Sequence, residues 1–324
     1  LEALAPIADI VEVESPTAEA FAEGASDCDG IITSWGLQLS EDIIQKLDKC
    51  VVIGLASVGV DMVDVEAATE AGIVVTNTPD VFIEEVGDHA LMLLLNAVRR
   101  TKEQNIFAAE NEWHKGRPQL NHVPRLMGQT LGLLSFGNVA RCVAKRAQAF
   151  GCHVIAFDPY VSELTIAEYG VEPVAWGELL GRSDYISVHS PDNVETRHSL
   201  NAKAFAQMKD GVIIVNTARG PIIAEEDLIA ALNSGKVQAA GLDVLEQEPP
   251  NPQNPLLTMP NVTVTPHVAS ASTRMRPTAR RRAGREVALV LQGKWPMSCV
   301  NPTVLPKTPL QRWQPVPMHR GPNR

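Results

Sequence analysis

The chain lacks the cysteine spacing of a metal or disulfide scaffold. Its five cysteines (Cys28, Cys50, Cys142, Cys152 and Cys299) form no CxxC pair. Neither a zinc site nor a disulfide framework is expected, only idle or buried thiols. The chain also lacks an excess of cations: 28 Lys and Arg stand against 38 Asp and Glu, a net charge of −10. That argues against general nucleic-acid affinity, which rests on cations neutralising phosphates. No secretory signal and no apolar run of membrane-spanning length is read. With 324 residues, 45% of them hydrophobic, there is material for two domains with real cores. The composition fits a soluble cytoplasmic enzyme with no metal, membrane or nucleic-acid partner.

The order along the chain is strand, then helix, repeated. Ala8–Val13, Gly30–Thr33, Val51–Leu55 and Ile73–Thr76 are short apolar runs, with helix-like stretches at Thr17–Glu23, Ser40–Leu47 and Asp64–Ala71 between them. Ser40 followed by Glu41 and Asp42 is a helix start, a capping side chain ahead of acids at the positive end of the dipole. A long helix opens at Ile83-Glu84-Glu85 and runs to Arg99 and Arg100. It is apolar nearly all round and expected to be buried between domains or subunits. A second series follows at Thr130–Leu134, Val154–Phe157, Tyr185–His189, Val212–Asn216, Ala239–Val244 and Val262–Thr265. Two βαβ series imply an α/β protein with two parallel-sheet domains. Leu1–Ala5 reads as the middle of a helix. The segment 303–324 holds five of the 23 prolines and is expected to be an extended or disordered tail.

The nucleotide signal lies in the second series. Gly132-Leu133-Leu134-Ser135-Phe136-Gly137-Asn138-Val139-Ala140 follows a strand and opens a helix, matching G-x-G-x-x-G/A with Ser135 in place of the first glycine. Gly137 lets backbone approach a pyrophosphate, and the helix N-terminus offers amides and a positive dipole end. Ser135 fits the turn if φ stays negative, its Cβ costing some freedom. Asp158, 21 residues after Gly137, ends the next strand, where a carboxylate grips the ribose hydroxyls of NAD and repels the extra phosphate of NADP.

Three further strands end in chemistry. Val212–Val215 runs into Asn216-Thr217-Ala218-Arg219-Gly220. Gly241-Leu242-Asp243-Val244-Leu245 leads to Glu246-Gln247-Glu248-Pro249. Val262–Thr265 leads to Pro266-His267. Ligands bind beyond the carboxyl ends of strands in open α/β sheets. An Arg there can hold a carboxylate bidentately, and a His can exchange a proton near neutral pH with a Glu orienting it. Glu246 and Glu248 both compete for that pairing. Arg219 alone could be a surface ion pair. His89, His153 and His189 read as satisfied or cofactor-side histidines, and Arg280, Arg281, Arg282 and Arg285 as a solvated helix face.

These motifs, with Ser57-Val58-Gly59-Val60-Asp61 and Ile83–Ala90, resemble the D-isomer-specific 2-hydroxyacid dehydrogenase family over residues 1–302. The resemblance implies a flavodoxin-like substrate domain, residues 1–98 and 270–302, entered one βα element after its usual first strand. It implies a Rossmann NAD-binding domain over 99–269. Arg219, Glu248 and His267 would be catalytic: Arg219 on the substrate carboxylate and carbonyl, His267 as acid/base, Glu248 as its partner. NAD would meet Ser135, Gly137, Asn138, Val139, Asp158, His189, Pro191, Thr196, Thr217, Ala218, Asp243 and His267. Amides of the loop at Val58 and Gly59 would hold the substrate carboxylate, and Trp35 either borders that pocket or is core. Ser57 and Ser135 stand where relatives carry glycine. The implied activity is NAD-dependent reduction of a small 2-oxo acid, glyoxylate- or hydroxypyruvate-like, to a D-2-hydroxy acid, in a homodimer. No basic residue in Ile32–Ser40 and no regulatory domain after 302 point away from a phosphorylated substrate. The rival reading is a dinucleotide-sensing, corepressor-like scaffold with little turnover.

Overall fold

The computed structural model describes residues 2–13, 17–34 and 36–313. Trp35 and the segment 314–324 lie outside them. In chain order come α1 (Ala18–Ala25), β1 (Gly30–Thr33), α2 (Glu41–Ile44), β2 (Val52–Leu55), α3 (Val65–Glu70) and β3 (Val74–Thr76). There follow α4 (Ile83–Val98), α5 (Thr101–Ala109), α6 (Trp113–Leu120), β4 (Thr130–Leu134), α7 (Asn138–Ala149), β5 (His153–Phe157), α8 (Glu163–Ala167) and β6 (Glu172–Pro173). Then come α9 (Trp176–Arg182), β7 (Tyr185–Val188), α10 (Ala202–Gln207), β8 (Val212–Asn216), α11 (Glu225–Ser234), β9 (Val237–Leu242), β10 (Val262–Val264) and α12 (Met275–Leu291).

Two units result. Residues up to Val81 and from Ser272 onward form the first, Phe82–Ala271 the second. In the first, β1, β2 and β3 pair in parallel, in that order. Successive side chains alternate between faces. Ile31, Ile53 and Val75 pack with Ala22, Ile43 and Ala68 of α1–α3, while Val52 and Val74 pack with Val287, Ala288 and Val290 of α12. The second unit is a parallel sheet of order β10-β9-β8-β7-β4-β5-β6. Leu131, Leu133, Ile213 and Val215 face α4 and α7; Ile186, Val188 and Ile214 face Leu179, Phe205 and Leu232 of α9–α11. Both units are doubly wound α/β layers, as their near-continuous buried strands require.

Several expectations are corrected. The domain boundary expected at residue 98 falls at 81, because the apolar stripe of α4 (Leu91, Leu94, Val98) is buried in the core of the second unit. Ala8–Val13 forms no strand: no described neighbour pairs with it, and Val11 is 70% exposed. Residues 2–7 are turns, Ile7 N–H donating to Leu4 O at 2.9 Å, not a helix. Ser40 is the N-cap of α2 but its side chain makes no capping bond. The expected tail is structured in its first part: Pro302–Lys307 is a 3₁₀ turn that buries Val304 and Leu305 against α12. Arg282 is no solvated residue, for it pairs with Asp80 at 3.3 Å and with the fully buried Glu286. Arg280, Arg281 and Arg285 are exposed. None of the five cysteines is in a disulfide.

Candidate active site

In the larger sheet the expected residues gather at one edge because its strands are parallel. β4 delivers Ser135, Gly137, Asn138 and Val139; β5 delivers Asp158; β7 delivers His189, Pro191 and Thr196. β8 delivers Thr217, Ala218 and Arg219, β9 Asp243 and Glu248, and β10 His267.

The β4–α7 turn departs from expectation at Ser135, whose φ is +73° rather than negative. Its hydroxyl meets that of Ser190 at 2.8 Å and its amide donates to Phe157 O at 2.9 Å. Those two bonds hold a left-handed conformation that a Cβ disfavours. Gly137 caps α7, and a Cβ built there meets nothing within 4 Å. Room above a helix N-terminus is what a pyrophosphate needs. Both oxygens of Asp158 are pinned, accepting from Phe136 N–H and Tyr160 N–H at 2.8 Å each. Further along the edge, Thr196 Oγ donates to Pro191 O at 2.6 Å. Desolvation lowers His189 to about 4, so its ring is neutral beside the Ser187 hydroxyl at 2.9 Å.

At the end of β8, Asn216 is 1% exposed and ties the turn from within. Its Oδ1 accepts from Ala218 N–H and its Nδ2 donates to Arg219 O, both at 2.9 Å. Arg219 Nη1 donates to Ala218 O at 2.7 Å. Thr217 is buried with its hydroxyl unpartnered. An orphaned hydroxyl at this edge, with the open space over Gly137, fits a nucleotide held by the chain.

His267 sits at φ +53° on the loop after β10. Its amide donates to Asp243 O at 2.8 Å, and the buried Asp243 carboxylate accepts from Thr265 Oγ (2.6 Å), Val268 N–H (3.0 Å) and Ala269 N–H (2.8 Å). His89 braces the same group, its Nε2 2.9 Å from Thr265 Oγ. The structure thus places Asp243, expected at the cofactor, beneath the histidine loop. Nδ1 of His267 meets Glu248 Oε2 at 2.7 Å, and Glu248 Oε1 accepts from Leu245 N–H at 3.1 Å. Burial pushes the Glu248 carboxyl up, but His267, the Leu245 amide and Arg219 together hold it below the ordinary range. Glu246 faces elsewhere, bonded to His198 at 2.7 Å and to Glu225 N–H at 3.0 Å. In the first unit, Val58 and Gly59 follow β2, with Ser57 Oγ donating to Gly59 O at 2.8 Å.

Sequence reasoning missed Ser190, Gly220, and the bracing role of His89. Only Gly220 carried a signal, as a glycine directly after an arginine at a strand end. Among the described residues no group of three or more His, Cys, Asp or Glu could hold a metal, and no helix is long and apolar enough to cross a membrane.

A parallel sheet with a glycine-capped helix at its first turn and an aspartate closing the next strand defines a dinucleotide-binding fold. Residues 91–269 match the family model described as D-isomer specific 2-hydroxyacid dehydrogenase, NAD binding domain. The chain is 34% identical over 295 residues to the glyoxylate reductase of Korarchaeum cryptofilum, covering 91% of this chain and 89% of that protein. It therefore belongs to the D-isomer-specific 2-hydroxyacid dehydrogenase family, whose cofactor is NAD. It is also 37% identical over 318 residues (97% of this chain) to the D-3-phosphoglycerate dehydrogenase of Methanocaldococcus jannaschii, of which it spans only 60%. Among solved structures, a glyoxylate reductase from Paecilomyes thermophila matches with TM-score 0.84 and 30% identity, over 93% of this chain and 94% of that one.

Proposed function

We propose that the protein is an NAD-dependent reductase of a small, unphosphorylated 2-oxo acid, giving a D-2-hydroxy acid. The observation that carries this reading is the His267–Glu248 pair at 2.7 Å beside the Arg219 strand end. Bound NADH supplies the hydride that reduces the carbonyl carbon. Arg219 binds the carboxylate and carbonyl oxygen through charge-assisted bonds. Glu248, ionised, orients the imidazole through Nδ1, and the protonated ring delivers a proton from Nε2 to the carbonyl oxygen. Asp243 and His89 keep the loop that carries this ring in place. Asp158 selects NAD by repelling a 2′-phosphate.

Ser34, Gly36, Leu37 and Gln38 offer no cation for a phosphate on the substrate. A glyoxylate- or hydroxypyruvate-like acid is favoured on that ground. The protein is proposed to work as a cytoplasmic homodimer joined through its second unit. There α5 and α6 bury no residue, and Trp113 is 75% exposed. Exposed aromatic surface of that kind marks an interface. The test is NADH oxidation against a panel of 2-oxo acids, phosphorylated ones included. Turnover confined to phosphohydroxypyruvate would overturn the substrate assignment, and tight NADH binding without any turnover would favour the scaffold reading.

A further inference from the structure

Two loops of the second unit are joined by one exposed side-chain pair. The Tyr160 hydroxyl, on the loop after β5, donates to Glu195 Oε2, on the loop after β7. β4 lies between β7 and β5 in the sheet, so this bond spans the position of the Ser135–Gly137 turn. Both of its ends are anchored. Tyr160 N–H donates to Asp158 Oδ1, and Asp158 Oδ2 accepts from Phe136 N–H within the turn, at 2.8 Å each. On the other loop, Asn193 Oδ1 accepts from Glu195 N–H at 2.9 Å and from Thr196 N–H at 3.0 Å. Arg197 pairs there with Asp192 at 2.6 Å. Ser190 starts that loop and meets the Ser135 hydroxyl at 2.8 Å. A ring therefore closes, from Phe136 through Asp158, Tyr160, Glu195 and Ser190 back to Ser135. Ser190 is buried, whereas Tyr160 and Glu195 are exposed. Their bond is the one water competes for, and the first to open.

In an NAD-binding domain of this fold the pyrophosphate lies over the first turn, and the adenosine ribose lies at the carboxylate that closes the second strand. Those places are Gly137 and Asp158, both on or inside this ring. The ring also holds apolar surface in water: Tyr160 is 77% exposed and Val194 98%. An aromatic face on a firmly tied loop is a stacking platform for a planar base. The hydrogen bond to Glu195 holds the Tyr160 phenol above its ordinary range, so the hydroxyl is a donor at neutral pH.

We propose that Tyr160 and Glu195 form a clasp over the adenosine half of bound NAD that slows its release. Tyr160 offers its ring to the base, and Glu195 is the positioning residue that locks the ring there. Opening the clasp breaks one exposed hydrogen bond and moves no strand or helix. The clasp presupposes the reading of this edge as the NAD site; it needs no particular substrate.

The test uses the full chain with Tyr160→Phe, Glu195→Ala, the two combined, and Glu195→Gln, which keeps an acceptor for the hydroxyl. Three quantities are measured for each. They are the NADH dissociation rate by stopped-flow fluorescence against excess NAD, ADP-ribose affinity by isothermal titration, and the melting temperature of the ligand-free protein. Loss of the bond should speed NADH release and weaken ADP-ribose on the order of fivefold. Tyr160→Phe, Glu195→Ala and the double variant should lose the same amount, because each removes the same bond, and Glu195→Gln should stay within about twofold of wild type. The melting temperature should not change, since both side chains are exposed. Unchanged NADH release in Tyr160→Phe and Glu195→Ala would overturn the clasp. So would losses that multiply to about 25-fold in the double variant, which mark two independent contacts. Faster NADH release with unchanged ADP-ribose affinity would place the effect away from adenosine, and a parallel fall in melting temperature would mark a structural defect; either overturns the clasp. Wild-type protein that binds neither NADH nor ADP-ribose would overturn the cofactor site and the clasp with it. NADH binding without turnover of any 2-oxo acid would overturn the reductase reading alone.

Discussion

Gly220 offers the sharpest test of how the two sides of the site are coupled. It follows Arg219 directly, at the end of β8. A Cβ built there lies 1.9 Å from Leu245 O, 2.0 Å from Leu245 C and 2.5 Å from Glu246 N. All three are backbone atoms, so no side chain can swing away. A carbon–oxygen contact normally settles at about 3.3 Å or more, so Gly220→Ala forces a separation of more than ~1 Å. The displaced segment is the one whose Leu245 amide holds Glu248 against His267. A misplacement of about 1 Å costs on the order of 100-fold in rate, so kcat/KM should fall by that factor. Overpacking should also cost about 1–3 kcal/mol of stability. NADH affinity should survive, since the Ser135–Gly137 turn is untouched. Steady-state kinetics, NADH titration and denaturant melts read the three effects separately. Near-wild-type kcat/KM in a folded Gly220→Ala protein would refute the coupling of Arg219 to Glu248 through this contact.

Other outcomes follow from the same geometry. Arg219→Ala should weaken the 2-oxo acid by several kcal/mol, of order 2–5, while sparing NADH, and Arg219→Lys should recover little because it loses the planar fork; isothermal titration of both ligands checks this. Glu248 is held below its ordinary value of 4.5, so the stability it contributes is fully present above that pH and is lost as pH falls through the lower folded value. Glu248→Gln should therefore be less stable by about 1 kcal/mol at pH 7, with the gap narrowing as pH falls below 4.5; a gap that does not change with pH in urea melts would contradict it. NADH should bind more tightly than NADPH, and Asp158→Asn should narrow the difference, read by competitive titration. Ser135→Gly should stabilise the turn by up to about 1 kcal/mol by relieving its positive φ, measured by thermal melts.

The strands were legible where burial on both faces wrote a continuous apolar run, as in Val212–Val215 or Leu131–Leu134. Glu172–Pro173, a two-residue edge strand, carries no such run, and Ala8–Val13 carries one without a strand to pair with. Pattern reports what a segment can bury and is silent on the neighbour it buries against. The same limit misplaced α4: its apolar stripe was plain, but the sheet it covers was not. The residues proposed for catalysis could be read as a group because parallel strands carry their ends to one edge. Glu246 and Glu248 could not be separated by composition, since the geometry of the turn alone decides which carboxylate meets His267. Ser135 was misjudged because its compensation, the Ser190 hydroxyl, lies 55 residues away.

The first unit is sewn shut by its far end. Asn301 lends its side chain to Val75 N–H at 2.8 Å, across 226 residues of sequence, and to Ile73 O at 2.9 Å. Val300 N–H donates a further hydrogen bond to Val75 O at 2.8 Å. During synthesis at about 5–20 residues per second, β3 therefore waits roughly 10–45 s for the segment that completes its edge. The second unit, continuous in sequence, can finish within that wait. An open strand edge invites pairing with another chain. The order of synthesis thus leaves the β3 edge exposed to misplaced pairing longer than any strand of the second unit.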